Sequence, residues 1–440
     1  MLNIPLAEIL DKLPVKELHR TLRNFVSPIA DLLPDKRLRQ IVPLAVRCIL
    51  ASESPVIAAM AQSASRHKAQ CWAIAKRFYR WLNNPRFNYQ DLLRGLYLIA
   101  RRTVEQQDPP YLVVAIDPVN FEKPYTRKLE GVSTVYKSTP PDHHGQARLT
   151  HGYPAITATI VNTKVPAITY ANWFSYKTSD FISQNYEVHQ AIQNTCSLFP
   201  ERKVRFVMDS GGDDRKVFTA IQKAGAEFII AAQHLEREVE VYNFRLQRWE
   251  REKLQDLVDC VLWEITYQTV FHHAGRTSLA SVKMGWYLIR LPDVPGEMWV
   301  LVAEDDVEKG RLVLLTNVPL GEERVVKEVY DDWRLRGRIE HGYRFEQEQG
   351  LDVEDLRVRT LERMRRLFVL VLVAAQFVFY LKEHWPQEAL LWLLKLGGKL
   401  GLSTDRDGPY ILLRGLSAVW QTEVTLSLVA ISPFPHHLFP

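Results

Sequence analysis

The chain has 440 residues and a mass of 51.0 kDa; 47% of its residues are hydrophobic and 24% charged, and its net charge is +5. That is enough chain to bury a large core in about two or three domains, and the composition excludes a disordered or fibrous protein. Cys48, Cys71, Cys196 and Cys260 are scattered without a Cys-x-x-Cys pair, which excludes a zinc-thiolate site or disulfide framework and fits a reducing compartment.

Residues 1–105 read as helices throughout. Leu6, Ile9, Leu10 and Leu13 recur at helical spacing, as do Trp72, Ile74, Phe78, Tyr79 and Trp81. Asn83-Asn84-Pro85 interrupts the pattern, and Tyr89 to Val104 resumes it. This segment is rich in Lys and Arg, from Lys36-Arg37-Leu38-Arg39 to Arg101-Arg102, which points to a polyanionic partner. The N-terminus lacks the basic-then-apolar layout of a secretion signal.

From Tyr111 the periodicity shortens. Strands are expected over 111–117, 155–161 and 167–173, then a helix over 180–196 capped by Ser179. A strand over 204–209, a helix from about Asp214 to Ala224 and a strand over 226–231 follow. The order β-β-β-α-β-α-β and then a helix is that of the ribonuclease H-like fold, in which the first and fourth strands lie side by side. Asp117 and Asp209, each closing an apolar run, would therefore meet. Residues 236–310 turn strand-rich, with runs over 261–270, 281–290 and 298–303, and read as an inserted β subdomain containing Trp263, Trp286 and Trp299. A strand over 312–315 returns to the core, and one long helix over 322–347 carries Glu340. Helices over 360–382 and 386–396 follow, the second stopped by Gly397-Gly398, before a less regular tail. The apolar run from Leu367 to Leu381 contains Gln376 and is short for a bilayer, so it reads as a buried helix. The expected organisation is multidomain: a helical DNA-binding domain (1–105), an α/β ribonuclease H-like core (106–235 and 311–383) interrupted by a β-rich insertion (236–310), and a C-terminal helical region (384–440).

Two carboxylates at strand ends and one on a helix can hold a pair of divalent cations for phosphodiester chemistry. Helical spacing puts Tyr330, Trp333, Arg336, Glu340, Tyr343 and Arg344 on one face: a carboxylate for metal, guanidinium groups for phosphate, rings for sugar or base. Glu346 is a competing acid off that face. His143-His144 and His272-His273 read as surface histidines, and Asp213 and Asp214 as a helix cap rather than ligands. Lys123 could pair with a carboxylate or a phosphate, or simply be exposed.

Ile116-Asp117-Pro-Val-Asn-Phe-Glu-Lys123-Pro124-Tyr125, followed by Gly152-Tyr153, resembles the start of the catalytic domain in DDE transposases of insertion-sequence family four. Met208-Asp209-Ser-Gly-Gly-Asp213 is similar to that family's Asp-Arg-Gly element, with Ser210 in place of Arg. Leu315-Thr316-Asn317 precedes the long helix as in the family. The family's helix signature (Tyr, two residues, Arg, three, Glu, six, Lys) is half kept: Arg336 and Glu340 hold their positions, Trp333 stands for Tyr, and Gln347 for Lys. Tyr330, one turn earlier, is the alternative for the Tyr.

The resemblance covers roughly residues 111–380. It implies a cut-and-paste DNA transposase in which Asp117, Asp209 and Glu340 hold two Mg²⁺ ions, with Mn²⁺ able to substitute. It implies double-stranded DNA as partner, both terminal inverted repeats and target, and a homodimer on paired ends. A cytoplasmic, nucleoid-associated bacterial protein without a membrane is expected. Arg336, Trp333, Tyr330, Lys123 and Arg344 are the expected DNA contacts. Trp299, after a Pro-Gly turn, is the first candidate to hold a flipped base, and relatives with such an insertion imply a hairpin intermediate. A metal-dependent nuclease or resolvase of the same fold, and a domesticated DNA-binding protein, are the alternative readings.

Overall fold

The computed structural model describes residues 15–126, 128–137, 148–273, 276–307, 310–347, 350–398 and 408–431. The periodic stretch Leu6–Leu13, His143-His144 and the final Pro-rich segment lie outside these.

Among the described residues five helices come first: α1 (Val15–Leu32), α2 (Lys36–Ser52), α3 (Ile57–Ser63), α4 (Lys68–Leu82) and α5 (Tyr89–Gln107). Local chemistry sets their starts. Asp35 caps α2 by accepting from Leu38 N, and Asn88 with Asp91 forms a reciprocal capping box on α5.

Next are β1 (Leu112–Glu122), β2 (Ser133–Tyr136), β3 (Leu149–Ile160), β4 (Ala167–Trp173), α6 (Gln184–Leu198), β5 (Val204–Met208), α7 (Arg215–Lys223) and β6 (Glu227–Ala231). The helix expected from Asp180 starts four residues later. Ser183, not Ser179, caps it through Tyr186 N at 3.1 Å, because the preceding loop folds back to stack Phe181 on Phe174. Gly225, at φ +70°, makes the tight turn into β6 that a side chain would strain.

The stretch after β6 supplies β7 (Glu238–Asn243), β8 (Arg248–Lys253), α8 (Leu254–Asp259), β9 (Ile265–His273), β10 (Arg276–Arg290) and β11 (Met298–Asp305), before β12 (Arg311–Thr316). These strands do not form a sheet of their own. Among the described residues they join one mixed sheet, whose main path runs β2-β3-β1-β5-β6-β12-β11-β10-β7-β8, with β4 on β3 and β9 on β10. β1 is parallel to β5 and β5 to β6, whereas β12, β11 and β10 continue antiparallel.

The long helix expected over 322–347 is two: α9 (Glu323–Arg334) and α10 (Gly337–Glu346). Between them the backbone bonds tighten to i→i−3, Arg336 N to Trp333 O and Arg338 N to Leu335 O, with Gly337 beginning the second helix. Glycine is a poor helix former, so this is where the helix yields. Helices α11 (Leu361–His384), α12 (Gln387–Leu396) and α13 (Pro409–Ile431) follow.

Strand alternation assigns the sheet's two faces. Leu112, Val114, Ile116 and Phe206 pack into one core with residues of α6 and α7; Val113, Ala115 and Val207 pack into another with α9 and α10. A third core joins the N-terminal helices to α11–α13 and to the far ends of the strands, where Phe121 stacks on Trp173 at 4.6 Å and both meet Phe368. Arg366 of α11 donates to the carbonyls of Leu82, Asn84 and Phe87, locking α11 onto the end of α4. Among the described residues α11 is the one helix long and apolar enough to cross a membrane, and its apolar side chains are buried in this core. A fragment ending near residue 105 would lose that partner, so binding is best tested on the whole chain.

Candidate active site

Asp117 and Asp209 share a face for a simple reason. β1 and β5 pair in parallel with Ala115 opposite Val207, so two residues further along both chains Asp117 and Asp209 stand side by side. Both have the parity of Ala115 and Val207, the face that α9 and α10 cover. Asp209 caps the short turn Ser210–Gly212, its Oδ1 accepting from Gly211 N at 3.0 Å. Asp117 is partly buried, and its carboxyl is pushed up to about 7. Burial is the largest cause, then the negative charge of Asp209; Arg336 opposes the shift and Glu340 adds to it. The three acids therefore act on one electrostatic site.

Helix α9 is fastened above Asp209 by Trp333, whose Nε1 donates to Met208 O at 3.1 Å. Trp333 also lies under Arg336, 5.6 Å from ring to guanidinium. Arg336 Nη1 donates to Glu340 Oε1 at 2.6 Å, while its Nε is buried without a partner among the described residues. A buried guanidinium N–H left unsatisfied is costly, and an anionic oxygen beside it would remove that cost. Tyr343, expected as a ring for sugar or base, is buried instead. Its hydroxyl donates to the Asp117 carbonyl at 2.6 Å and lies 2.6 Å from Thr157 Oγ1, so it supports the strand that carries the acid.

Among the described residues, no three of His, Cys, Asp and Glu stand close enough to hold a metal ion. Glu340 is closed on Arg336 rather than on the aspartates. The donor set still suits a hard cation: carboxylate oxygens, with Asp117 raised first by burial and then by the charge of Asp209. Glu340 has to leave Arg336 to join them.

The other expected contacts fall elsewhere. Tyr330, 3% exposed, is in the core under α9, its ring 5.7 Å from the Arg334 guanidinium, and does not face solvent. Lys123, at 5% exposure, is buried rather than exposed. Its ammonium donates to the carbonyls of Glu354 and Leu356, and burial lowers it to about 8. Arg344 is exposed on α10, one turn beyond Glu340. Trp299 is partly buried on the same sheet face as the acids, but on β11, three strands from β5 or roughly 14 Å across. Asp214 caps α7, as expected. Asp213 does not: buried, it accepts from Gln233 N, His234 N and Arg237, fixing the start of the added strands.

Glu346, the competing acid, is fully buried at the end of α10. Its Oε2 lacks a partner among the described residues, and burial pushes its carboxyl up to about 8. An acid raised above its unfolded value costs stability as pH climbs from about 4.5 to about 8. Glu346→Gln should therefore match the parent near pH 5 and exceed it by a few kcal/mol near pH 8, at about 1.4 kcal/mol per unit. Urea unfolding at the two pH values checks this. The substitution should leave DNA cleavage unchanged.

Arg205 went unnoticed in the sequence. Its guanidinium, 1% exposed on β5, binds Glu227, Glu328 and Asp332, and Tyr111 OH donates to Asp332 at 3.0 Å. A charge inside the apolar run Val204–Met208, in phase with Val207 and Asp209, was the available signal.

Acids gathered on one face of a mixed sheet beneath a broken covering helix, beside a guanidinium with a free N–H among the described residues, can serve metal-assisted hydrolysis or phosphoryl transfer. The model of the transposase DDE domain matches residues 109–377, more than half of the chain, and the chain belongs to that family. Such transposases are DNA-acting enzymes that generally use divalent metals. No curated protein matches the chain.

Proposed function

We propose that the protein is a cut-and-paste DNA transposase of the insertion-sequence family four type, with a ribonuclease H-like core in which Asp117, Asp209 and Glu340 hold two Mg²⁺ ions. The observation that supports this reading is the convergence of the acids on one sheet face: the parallel register of β1 and β5 sets Asp117 beside Asp209, and Asp117, raised first by burial and then by Asp209, also feels Arg336 and Glu340 from α10 and its start. Cations bound there would activate water or a DNA 3′-OH and stabilise the leaving oxygen. Asp117 and Asp209 supply fixed oxygens from neighbouring strand ends. Arg336 offers its unpartnered Nε to a phosphate oxygen, and Trp333 holds α9 and the guanidinium in place. Terminal inverted repeats and target DNA are the substrates, and a homodimer on paired ends suits the joining of two ends to one target.

The test uses duplexes from the gene's flanks with Mg²⁺ or Mn²⁺, scoring nicking and capture of a target plasmid. Nicking without capture favours a nuclease or resolvase. Binding without nicking favours a domesticated DNA-binding protein, a reading to which the closed Arg336–Glu340 pair lends support. Arg336→Ala should lose a charge-assisted contact, on the order of 1.5–3 kcal/mol of cleavage activity or about 10- to 100-fold in rate. Arg336→Lys should recover only part, because an ammonium cannot reproduce the fork. Cleavage rates of the two variants on one duplex decide it.

A further inference from the structure

Between Glu53 and Asp91 the chain has no acidic residue but carries Arg66, Lys68, Lys76, Arg77, Arg80 and Arg86. The structure concentrates four of these on one side of α4. Ala75, Phe78, Trp81 and Leu82 face the core, and Trp81 Nε1 donates to Leu38 O at 3.3 Å, fixing the helix's rotation. The outward side is then set by helical spacing: Lys68, Trp72, Lys76 and Arg80 form one row, and Ala69, Ala73 and Arg77 the next.

An ordinary solvated face does not look like this. Many exposed basic side chains elsewhere in this protein pair with an acid on their own helix: Arg20 with Glu17, Arg101 with Glu105, Lys327 with Glu323. On α4 none of the four pairs with an acid among the described residues, and Lys76 and Arg80 repel each other at i, i+4. Trp72 is 62% exposed and Tyr79 41%, so aromatic area also stands in water. Like charge and exposed rings on one helix are both unfavourable until a polyanion covers them.

The surroundings suit duplex DNA. Helix α3 meets α4 through the four residues Ala64–His67, and α2 and α3 cross at 93°. A short helix, a four-residue connection and a second helix with an exposed face is a sequence of elements that can set a helix into the major groove. Ala69 and Ala73 leave room for the helix to approach the bases closely, and Lys76, Arg77 and Arg80 have the reach for phosphates or guanine edges.

We propose that α4 is the DNA-reading helix, its outward row Lys68, Trp72, Lys76 and Arg80 with Arg77 lying in the major groove of duplex DNA. This rests on the transposase reading and adds to it the surface that holds the DNA away from the acids.

The experiment measures anisotropy of the whole chain with a labelled mixed-sequence duplex about three helical turns long, across a salt series. Lys76→Gln/Arg77→Gln/Arg80→Gln should lower the salt slope by about 2–3 and weaken binding by about tenfold or more at 0.1 M salt. Trp72→Ala should weaken binding without changing the slope, since no counterion is involved. Arg20→Gln/Arg94→Gln/Arg101→Gln, equally exposed on α1 and α5, should retain most of the slope. Equal losses from both triple variants, or no loss from the α4 variant, would overturn α4 as the reading helix and leave the transposase reading standing. Absence of salt-dependent binding by the parent chain would overturn both.

Discussion

Asp117→Asn, Asp209→Asn and Glu340→Gln are each expected to abolish metal-dependent strand cleavage, with losses of about 10³-fold or more, while duplex binding stays near that of the parent. Each substitution keeps the shape of the side chain and removes an anionic oxygen. The loss of cation affinity and of the charge stabilisation that a cation brings is worth several kcal/mol. Glu346→Gln is the internal comparison, because Glu346 is buried beyond reach of the site. Normal cleavage by Glu340→Gln, with failure of Glu346→Gln, would move the catalytic acid along α10.

The same site has a pH signature independent of turnover. Asp117 is held up to about 7, first by burial and then by Asp209. In its metal-free form the fold loses stability as pH rises from about 4 toward 7, because the charged carboxylate is the disfavoured species. A cation relieves that penalty only after the proton has left. Thermal stabilisation by Mg²⁺ or Mn²⁺ should therefore grow between about pH 6 and pH 8 and be largely absent in Asp117→Asn. A metal shift that does not depend on pH would place the cation elsewhere.

What was legible in the sequence divides by range. The apolar runs ending in Asp117 and Asp209 depend on local alternation, and adjacent parallel strands bring their ends together. The added strands were readable as strands, but whether they form their own sheet depends on β11 pairing with β12, which local pattern does not encode. The break between α9 and α10 was marked by Gly337 alone, while helical periodicity continued on both sides. Lys123 and Tyr330 could not be placed because their surroundings are distant in the chain: Lys123 is satisfied by carbonyls of residues 354 and 356. Likewise the N-terminal helices read as a domain, yet α11, over 250 residues later, completes their core.

Arg205→Ala is expected to be strongly destabilising, on a par with emptying a buried aromatic site. Arg205 lies on β5, four residues before Asp209, and binds Glu328 at 2.8 Å and Asp332 on α9, with Glu227 of β6 at 2.9 Å. Asp332 is buried, and desolvation keeps its carboxyl above the usual range even with Arg205 beside it. Removing the guanidinium leaves that carboxylate uncompensated apart from the Tyr111 hydroxyl, a loss of about 3–5 kcal/mol. The sign of the pH dependence follows. The charged Asp332 is the costly species, so the deficit of Arg205→Ala should be largest at neutral pH and shrink as pH falls toward about 4. Unfolding in urea at the two pH values measures this. The consequence reaches the site because α9 is pinned to β5 by this cluster on one side and by Trp333 on Met208 O on the other. Where Arg205→Ala still folds, Arg336 and Glu340 lose their fixed position over the aspartates, and cleavage should fall by more than duplex binding does. Arg205→Lys keeps the charge without the fork that spans three carboxylates, so it should regain part of the stability and less of the cleavage. A variant that loses stability at pH 7 and pH 4.5 alike would show that packing of the arginine stem, rather than its charge, holds α9 to the sheet.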